Sequence, residues 1–426
     1  MVNNWSYVSL GDICEIKGGK RLPKGSNLTK AKTKHPYIKV KNMGIKKNIA
    51  LDDNFEYLKP DIQKEISKYI VNTNDLIISI VGTIGLISKI DNSLEKANLT
   101  ENCVKLINMQ RVTSDYLYYF LSSNYGQHEI DKNIVGAVQK KLPIKNIKKI
   151  QLPLPSLKEQ KAIAKILSSL DEKIEVNNRM NEILENMAQD IFKRWFVDFE
   201  FPNADGEPYK SSGGKMVESE LGLIPEGWEV QMIKDFTIKM QNGGTPRRKK
   251  ENYWNHDDYP WIKTGEIKNK IIIDAKEHIS KEGLKNSSAK ITPKNSVLIA
   301  LYGATAGQIG FLKFESTTNQ ACCSMICNSV NKSIFLYLFL LHNQEYISSL
   351  ANGAAQQNLS KETISKLKVI VPSDSFFREL IFDSLFLKIE NNLRESKQLS
   401  KIRDTLLPKL ISGEIRVPIK EEETEG

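Results

Sequence analysis

The sequence predicts an α+β chain: two pseudo-repeated mixed α/β domains, separated by two long helices that pair as an antiparallel coiled coil. Three observations carry this. A set of about six short blocks recurs in the same order, a little over two hundred residues apart. Each set is followed by an amphipathic stretch with a heptad seam. The positive charge is concentrated in the two repeated regions. The implied segments are a first domain over 1–156, a central helical spacer over 157–200, a second domain over 212–373, a C-terminal helical spacer over 374–416, and a flexible acidic tail over 417–426.

The blocks justify the repeat one by one. Trp5-Ser-Tyr-Val matches Trp228-Glu-Val-Gln, and the Lys17-Gly-Gly-Lys20 loop has a counterpart in Asn242-Gly-Gly-Thr-Pro246. Tyr37-Ile-Lys39 pairs with Trp261-Ile-Lys263. NDLIISIVGTIG from Asn74 pairs with NSVLIALYGATAG from Asn295, and their short apolar, β-branched cores predict buried strands. NLTENCVKLI from Asn98 pairs with STTNQACCSMI from Ser316. SDYLYYFLSS from Ser114 and SIFLYLFLLH from Ser333 predict short buried helices. GAVQKKLP from Gly136 echoes GAAQQNLS from Gly353, a predicted tight turn before a last strand. The glycine links GTIG and GATAG lack the Gly-Lys-Ser/Thr ending of a phosphate loop, so close backbone packing is their expected role.

The helical stretches follow each domain. A seam threads Ile163, Leu167, Leu170, Ile174, Asn177, Asn181, Leu184, Ala188, Ile191 and Trp195. Shifted by 215 residues, it becomes Leu385, Ile389, Asn392, Ser396, Leu399, Arg403, Leu406 and Leu410. The polar interruptions coincide, Asn177 with Asn392 and Asn181 with Ser396. Asparagine inside a seam weakens packing and fixes register; at its edge it would only be wet. Neither stripe can be buried alone, so the two are expected to pair, antiparallel, as a rod of about 50 Å.

Charge points to a polyanion. The 426 residues carry a net charge of +10. Residues 1–150 hold 24 Lys/Arg against 14 Asp/Glu, and residues 212–373 hold 20 against 15. The segments 151–211 and 374–426 are net negative. Lysine serving only as solvated surface would not be partitioned in this way. The scaffold positions of the two halves agree while their polar loops differ, which predicts two related but distinct ligands.

Candidate contacts follow from base chemistry: Arg or Lys for guanine, Asn or Gln for adenine, Lys and Arg for phosphates. The glycine loops offer Lys20, Arg21 and Lys24, and then Thr245, Arg247, Arg248, Lys249 and Lys250 with Tyr253 and Trp254. The second place offers Lys39, Lys41 and Asn42, echoed by Lys263 and Thr264. The third is the region of Asn98, Thr100 and Glu101, matched by Asn319 and Gln320. The fourth is Gln139-Lys140-Lys141, matched by Gln356-Gln357-Asn358.

Catalysis is not expected in this chain. It has no Asn/Asp-Pro-Pro-aromatic methyltransferase motif, no glycine-rich S-adenosylmethionine (SAM) motif and no Walker A motif. The five His are scattered. Cys322, Cys323 and Cys327 lack a nearby His pair, so no metal site is expected. Five unevenly spaced cysteines and no N-terminal leader pattern predict a reducing, cytoplasmic setting. The longest apolar run, Ile334–Leu341, is too short to span a membrane.

The chain resembles the specificity (S) subunit of Type I restriction–modification systems along nearly its whole length. LPLPSLKEQKAIAKIL from Leu152, FKRWFVDFEFPN from Phe192, ELGLIPEGWEV from Glu220 and LLPKLISGEIRV from Leu406 carry the resemblance, in the family's order. It departs after Pro372, where no Glu-Gln pair follows. The resemblance implies two target-recognition domains, each reading one half of a bipartite site in double-stranded DNA. It implies helices that set the unread spacer and dock two methyltransferase subunits, with restriction/translocase subunits joining. SAM, ATP and Mg would belong to those partners, with no cofactor in this chain. A DNA-bound assembly scaffold without sequence choice is the alternative, and an RNA-binding module a third.

Overall fold

The structure is a computed structural model that describes residues 5–44, 46–351, 358–380 and 382–418. The chain divides into two compact units, Met1–Glu175 with Lys397–Gly426, and Val176–Ser396. Each unit holds one α/β module and part of each long helix.

In the first unit a five-stranded sheet runs in the order Glu15–Gly18, Cys103–Ile107, Leu76–Ser79, Ile87–Ile90, Asn48–Ile49. Its strands are short apolar runs because the sheet is covered on both faces. Leu76, Ile78, Val104 and Leu106 face Tyr116, Leu117 and Phe120 of the Ser114–Ser122 helix. Ile77 and Cys103 belong to a second core with Leu99 and Val71. A three-stranded sheet of Glu56–Tyr57, Pro36–Ile38 and Asn98–Leu99 adjoins it.

The second unit repeats this topology. Lys239–Asn242, Cys322–Ile326, Val297–Ala300, Ile309–Leu312 and Lys270–Ile272 form the five-stranded sheet, and Glu277–Ile279, Tyr259–Ile262 and Thr317–Thr318 the three-stranded one. Register repeats as well. Ile38 pairs in parallel with Leu99, and Ile262 with Thr318. Ser79 opposes Cys103, and Ala300 opposes Cys322. Cys322 and Cys323 lie on opposite faces of their sheet, in different cores. Burial pushes the Cys323 thiol up to about 12.

The echo also explains local residues. Asn74 and Asn295, which open the repeated strands, both sit in the left-handed region (φ 69° and 65°), where asparagine is tolerated. The glycine links meet the expectation of close packing at their second glycines, Gly85 and Gly307, where an added Cβ would lie 2.9 Å from Gln127 Oε1 and 2.6 Å from Ser348 Oγ; their first glycines differ. Gly82 and Gly303 have φ of 78° and 76° with open space around them, so backbone conformation is what they supply.

Each module closes on itself. Ser6–Ser9 pairs antiparallel with Gln151–Leu154, and Glu229–Met232 with Lys368–Val371. A helix follows each closing strand. The central helix spans Leu157–Phe192 and ends in a wider π-helical turn, Lys193–Val197. In place of one continuous second helix there are two pieces, Asp374–Glu379 and Phe382–Ile411.

The helices pair within each unit. In the first, Ile163, Leu167 and Leu410 are buried, with Leu170, Ile174, Leu399 and Leu406 half-buried. Arg403 pairs with Asp171 at 2.7 Å. In the second, Asn177, Asn181, Ala188, Ile389, Asn392 and Ser396 are buried, with Leu184, Ile191 and Leu385 half-buried. Asn392 Nδ2 donates to Asn181 Oδ1 at 2.9 Å, and Asn177 Nδ2 to Glu395 Oε2 at 2.8 Å. Rising numbers on one helix meet falling numbers on the other, so the pair is antiparallel. The seam asparagines lie inside the pair and not at a wet edge.

Buried and half-buried polar groups bolt each module to its helices. Lys47 Nζ donates to Ser168 at 2.7 Å, and Tyr119 Oη to Asp171 at 2.7 Å. In the second unit Lys313, 4% exposed, pairs with Glu390, 7% exposed, at 3.0 Å. Among the described residues no helix is long and apolar enough to cross a membrane.

Candidate nucleic-acid interface

The candidate loops are brought to one end of each five-stranded sheet by backbone bonds. In the first module Gly19 N–H donates to Cys103 O at 3.0 Å, Lys20 N–H to Leu99 O at 2.8 Å, and Thr100 N–H to Ile38 O at 3.1 Å. Ile80 N–H donates to Asn102 O at 2.8 Å, and Leu142 N–H to Ile80 O at 3.0 Å, which ties the Gln139–Lys141 turn to the same end. The second module repeats all five bonds: Gly243 to Cys322, Gly244 to Thr318, Asn319 to Ile262, Leu301 to Ala321 and Leu359 to Leu301.

These bonds correct the alignment of the glycine loops by one residue. Gly19 corresponds to Gly243, where an added Cβ would meet a carbonyl oxygen at 2.0 Å and 2.1 Å respectively. Only glycine lets the loop pass this close to the neighbouring chain. Arg21 therefore corresponds to Thr245, and Glu101 to Gln320.

In the first module Arg21, Lys39, Lys41, Thr100 and Glu101 line an open cleft of 450 Å³. Arg21 Nε donates to Glu101 Oε1 at 2.7 Å. Burial pushes the Glu101 carboxyl up, but the Arg21 bond and further hydrogen bonds outweigh it and hold the group below the usual range. Lys39 and Lys41 both reach Glu56, at 2.6 and 2.8 Å. Those two bonds, Lys39 first, lower the Glu56 carboxyl to about 2. Asn42 Oδ1 accepts from Lys39 N–H at 2.9 Å, so part of its amide is committed to capping the turn. Lys20 and Lys24 are exposed, and Lys20 lies over the Tyr69 ring.

In the second module Arg248 stacks over Trp254, 3.7 Å from its centroid, and over Trp261 at 4.6 Å. Arg248 and Lys263 both pair with Glu277. Burial pushes the Glu277 carboxyl up, and the Lys263 and Arg248 bonds bring it below the usual range. Thr245 Oγ1 donates to Gln320 Oε1. Thr264 is half-buried, and Arg247, Lys249 and Lys250 are exposed. Tyr253 is buried, its hydroxyl accepting from Lys250, so it supports the loop and offers no ring face. Asn319 is half-buried, with its Oδ1 enclosed.

At the fourth place Gln139, Lys140 and Lys141 are exposed beyond a turn in which Gly136 has φ 98°. Asn358, their described counterpart, is exposed and bridges to Tyr302. Gly353, Gln356 and Gln357 lie outside the described residues.

Glu56 and Glu277 were missed in the sequence. Tyr37 opposes Glu56, and Trp261 opposes Glu277, so the two carboxylates are equivalent. Their signal was a three-residue echo, Glu56-Tyr-Leu58 and Glu277-His-Ile279.

The Type I restriction modification DNA specificity domain family matches residues 3–186 and 225–402. The Type I restriction enzyme MjaIX specificity subunit of Methanocaldococcus jannaschii is 27% identical over 424 residues, covering 97% of this chain and 94% of that protein. The HindI specificity subunit of Haemophilus influenzae is 28% identical over 386 residues, covering 76% and 83%. The crystal structure of a Type I restriction–modification S subunit from M. genitalium shares the fold, with a TM-score of 0.60 at 19% identity over 96% of this chain and 98% of that one.

Proposed function

The chain belongs to the Type I restriction–modification DNA specificity family, and on that premise we propose that it reads a bipartite target in double-stranded DNA. Each module reads one half-site with the loops gathered at one end of its sheet. The paired helices set the length of the unread spacer and dock two methyltransferase subunits, with restriction/translocase subunits joining them in the cytoplasm. The chain itself is non-catalytic; SAM, ATP and Mg serve the partners.

One observation carries this reading. The two modules repeat topology, register and all five loop-anchoring bonds, yet their polar loop residues differ. A repeated frame with different chemistry at the same end suits two different half-sites on one duplex.

The test is a map of methylated adenines in the host, with and without this gene. Loss of methylation at one bipartite motif is the expected result, and it gives the target and spacer together. An unchanged map, with purified chain showing no preference among random duplexes, would leave a scaffold that holds DNA without choosing sequence.

A further inference from the structure

Two cross-loop pairs recur at equivalent positions, and they behave differently. The first is Lys39 with Glu56 and Lys263 with Glu277: the same residue types, repeated. The second is Arg21 with Glu101 and Thr245 with Gln320: the same bond, with its chemistry changed from charged to neutral. Both members of the second pair changed together, and a hydrogen bond was kept. A solvated loop has no need to preserve a bond while replacing both of its ends.

We propose that the Arg21–Glu101 and Thr245–Gln320 pairs set base choice in their respective half-sites, while Lys39–Glu56 and Lys263–Glu277 are sequence-neutral anchors. This rests on the modules being half-site readers. Arg21 is 81% exposed in its side chain, and Glu101 holds its Nε. The terminal guanidinium nitrogens are then presented as a fork for guanine O6 and N7. In the other module, the oxygen of Gln320 holds Thr245, which leaves its amide nitrogen as a neutral donor beside a threonine methyl. That combination suits the O4 and methyl group of thymine. The anchors place a lysine at the same point in both modules, where a phosphate lies whatever the sequence.

The charges supply a discriminating readout. Arg21 with Glu101 is net neutral, and so is Thr245 with Gln320. Exchanging one pair for the other changes base chemistry without changing net charge, so the salt dependence of binding should stay the same.

The experiment is selection from a random duplex pool by the full chain, comparing wild type with Arg21→Thr/Glu101→Gln. The expected result is a change at one base pair of the first half-site, from G·C to A·T, by roughly 5- to 150-fold in preference. The second half-site and the salt slope stay as they were. The reciprocal variant, Thr245→Arg/Gln320→Glu, should change only the second half-site, and it serves if the first variant fails to fold. Lys39→Ala should weaken binding to all sequences alike and lower the salt slope. An unchanged motif in a folded pair variant overturns the assignment while leaving the bipartite reading intact. A wild-type chain that selects no motif overturns both.

Discussion

Asn392 donates to Asn181 at 2.9 Å between the two long helices, both residues buried in a seam otherwise rich in Leu and Ile. Removing one partner strands the other. Asn392→Ala should therefore lower stability by about 1–3 kcal/mol. Asn181→Leu with Asn392→Leu should recover that loss, because apolar seam residues pack better than asparagine. Urea unfolding of the three chains checks this, and a single variant as stable as wild type would remove the bond from the energetics.

A matched heptad inserted into both long helices leaves every seam residue facing its partner stripe. It adds about 10 Å to each helix, or roughly three base pairs of duplex. The methylated motif should keep both half-site sequences and gain spacer length. Altered half-sites would show that the helices do more than separate the readers.

Glu56 gives a pH signature. Its carboxyl is lowered from the ordinary 4.5 to about 2 by Lys39 and Lys41. Between those values the folded chain holds fewer protons at this site than the unfolded chain does. The stabilisation is complete above the unfolded value and is lost as pH falls through the folded one. The stability difference between wild type and Glu56→Gln should shrink between pH 4.5 and 2, and a difference constant across that window counts against the pairing.

Glu390 should be costly to neutralise. It meets Lys313 at 3.0 Å and Arg394 at 2.8 Å, and Lys313 is almost wholly enclosed. Glu390→Gln leaves a buried ammonium without its counter-charge, at about 3–5 kcal/mol. Lys313→Met/Glu390→Leu should be far milder. Denaturation midpoints of the single and double variants decide it.

The repeat, the buried strands and the helix seams were legible because each leaves a local period or an ordered echo. Pairs made by distant segments were not: Glu56 meets Lys39 only because one strand is laid antiparallel on another. The missing Glu-Gln pair after Pro372 is the clearest case. In the first unit Trp5 Nε1 donates to Glu159 at 3.1 Å, and Arg416 lies over the Trp5 ring. Gln160 joins the backbones of Arg111, Thr113 and Pro155. In the second unit the equivalent Trp228 packs against Phe376 and stacks on Phe201, with Phe377 against Phe335. A polar joint has become an aromatic one. The substitution is a set of mutually dependent changes, and no one segment announces it.

The antiparallel closure of each module, Ser6–Ser9 on Gln151–Leu154 and Glu229–Met232 on Lys368–Val371, brings its first and last strands side by side. All five loop-anchoring bonds of each module lie between those two strands in sequence, so the candidate loops hang from a two-strand stalk. If each module reads one half-site as proposed, an exchange with crossovers at the stalk would replace one half of the address and leave both long helices untouched.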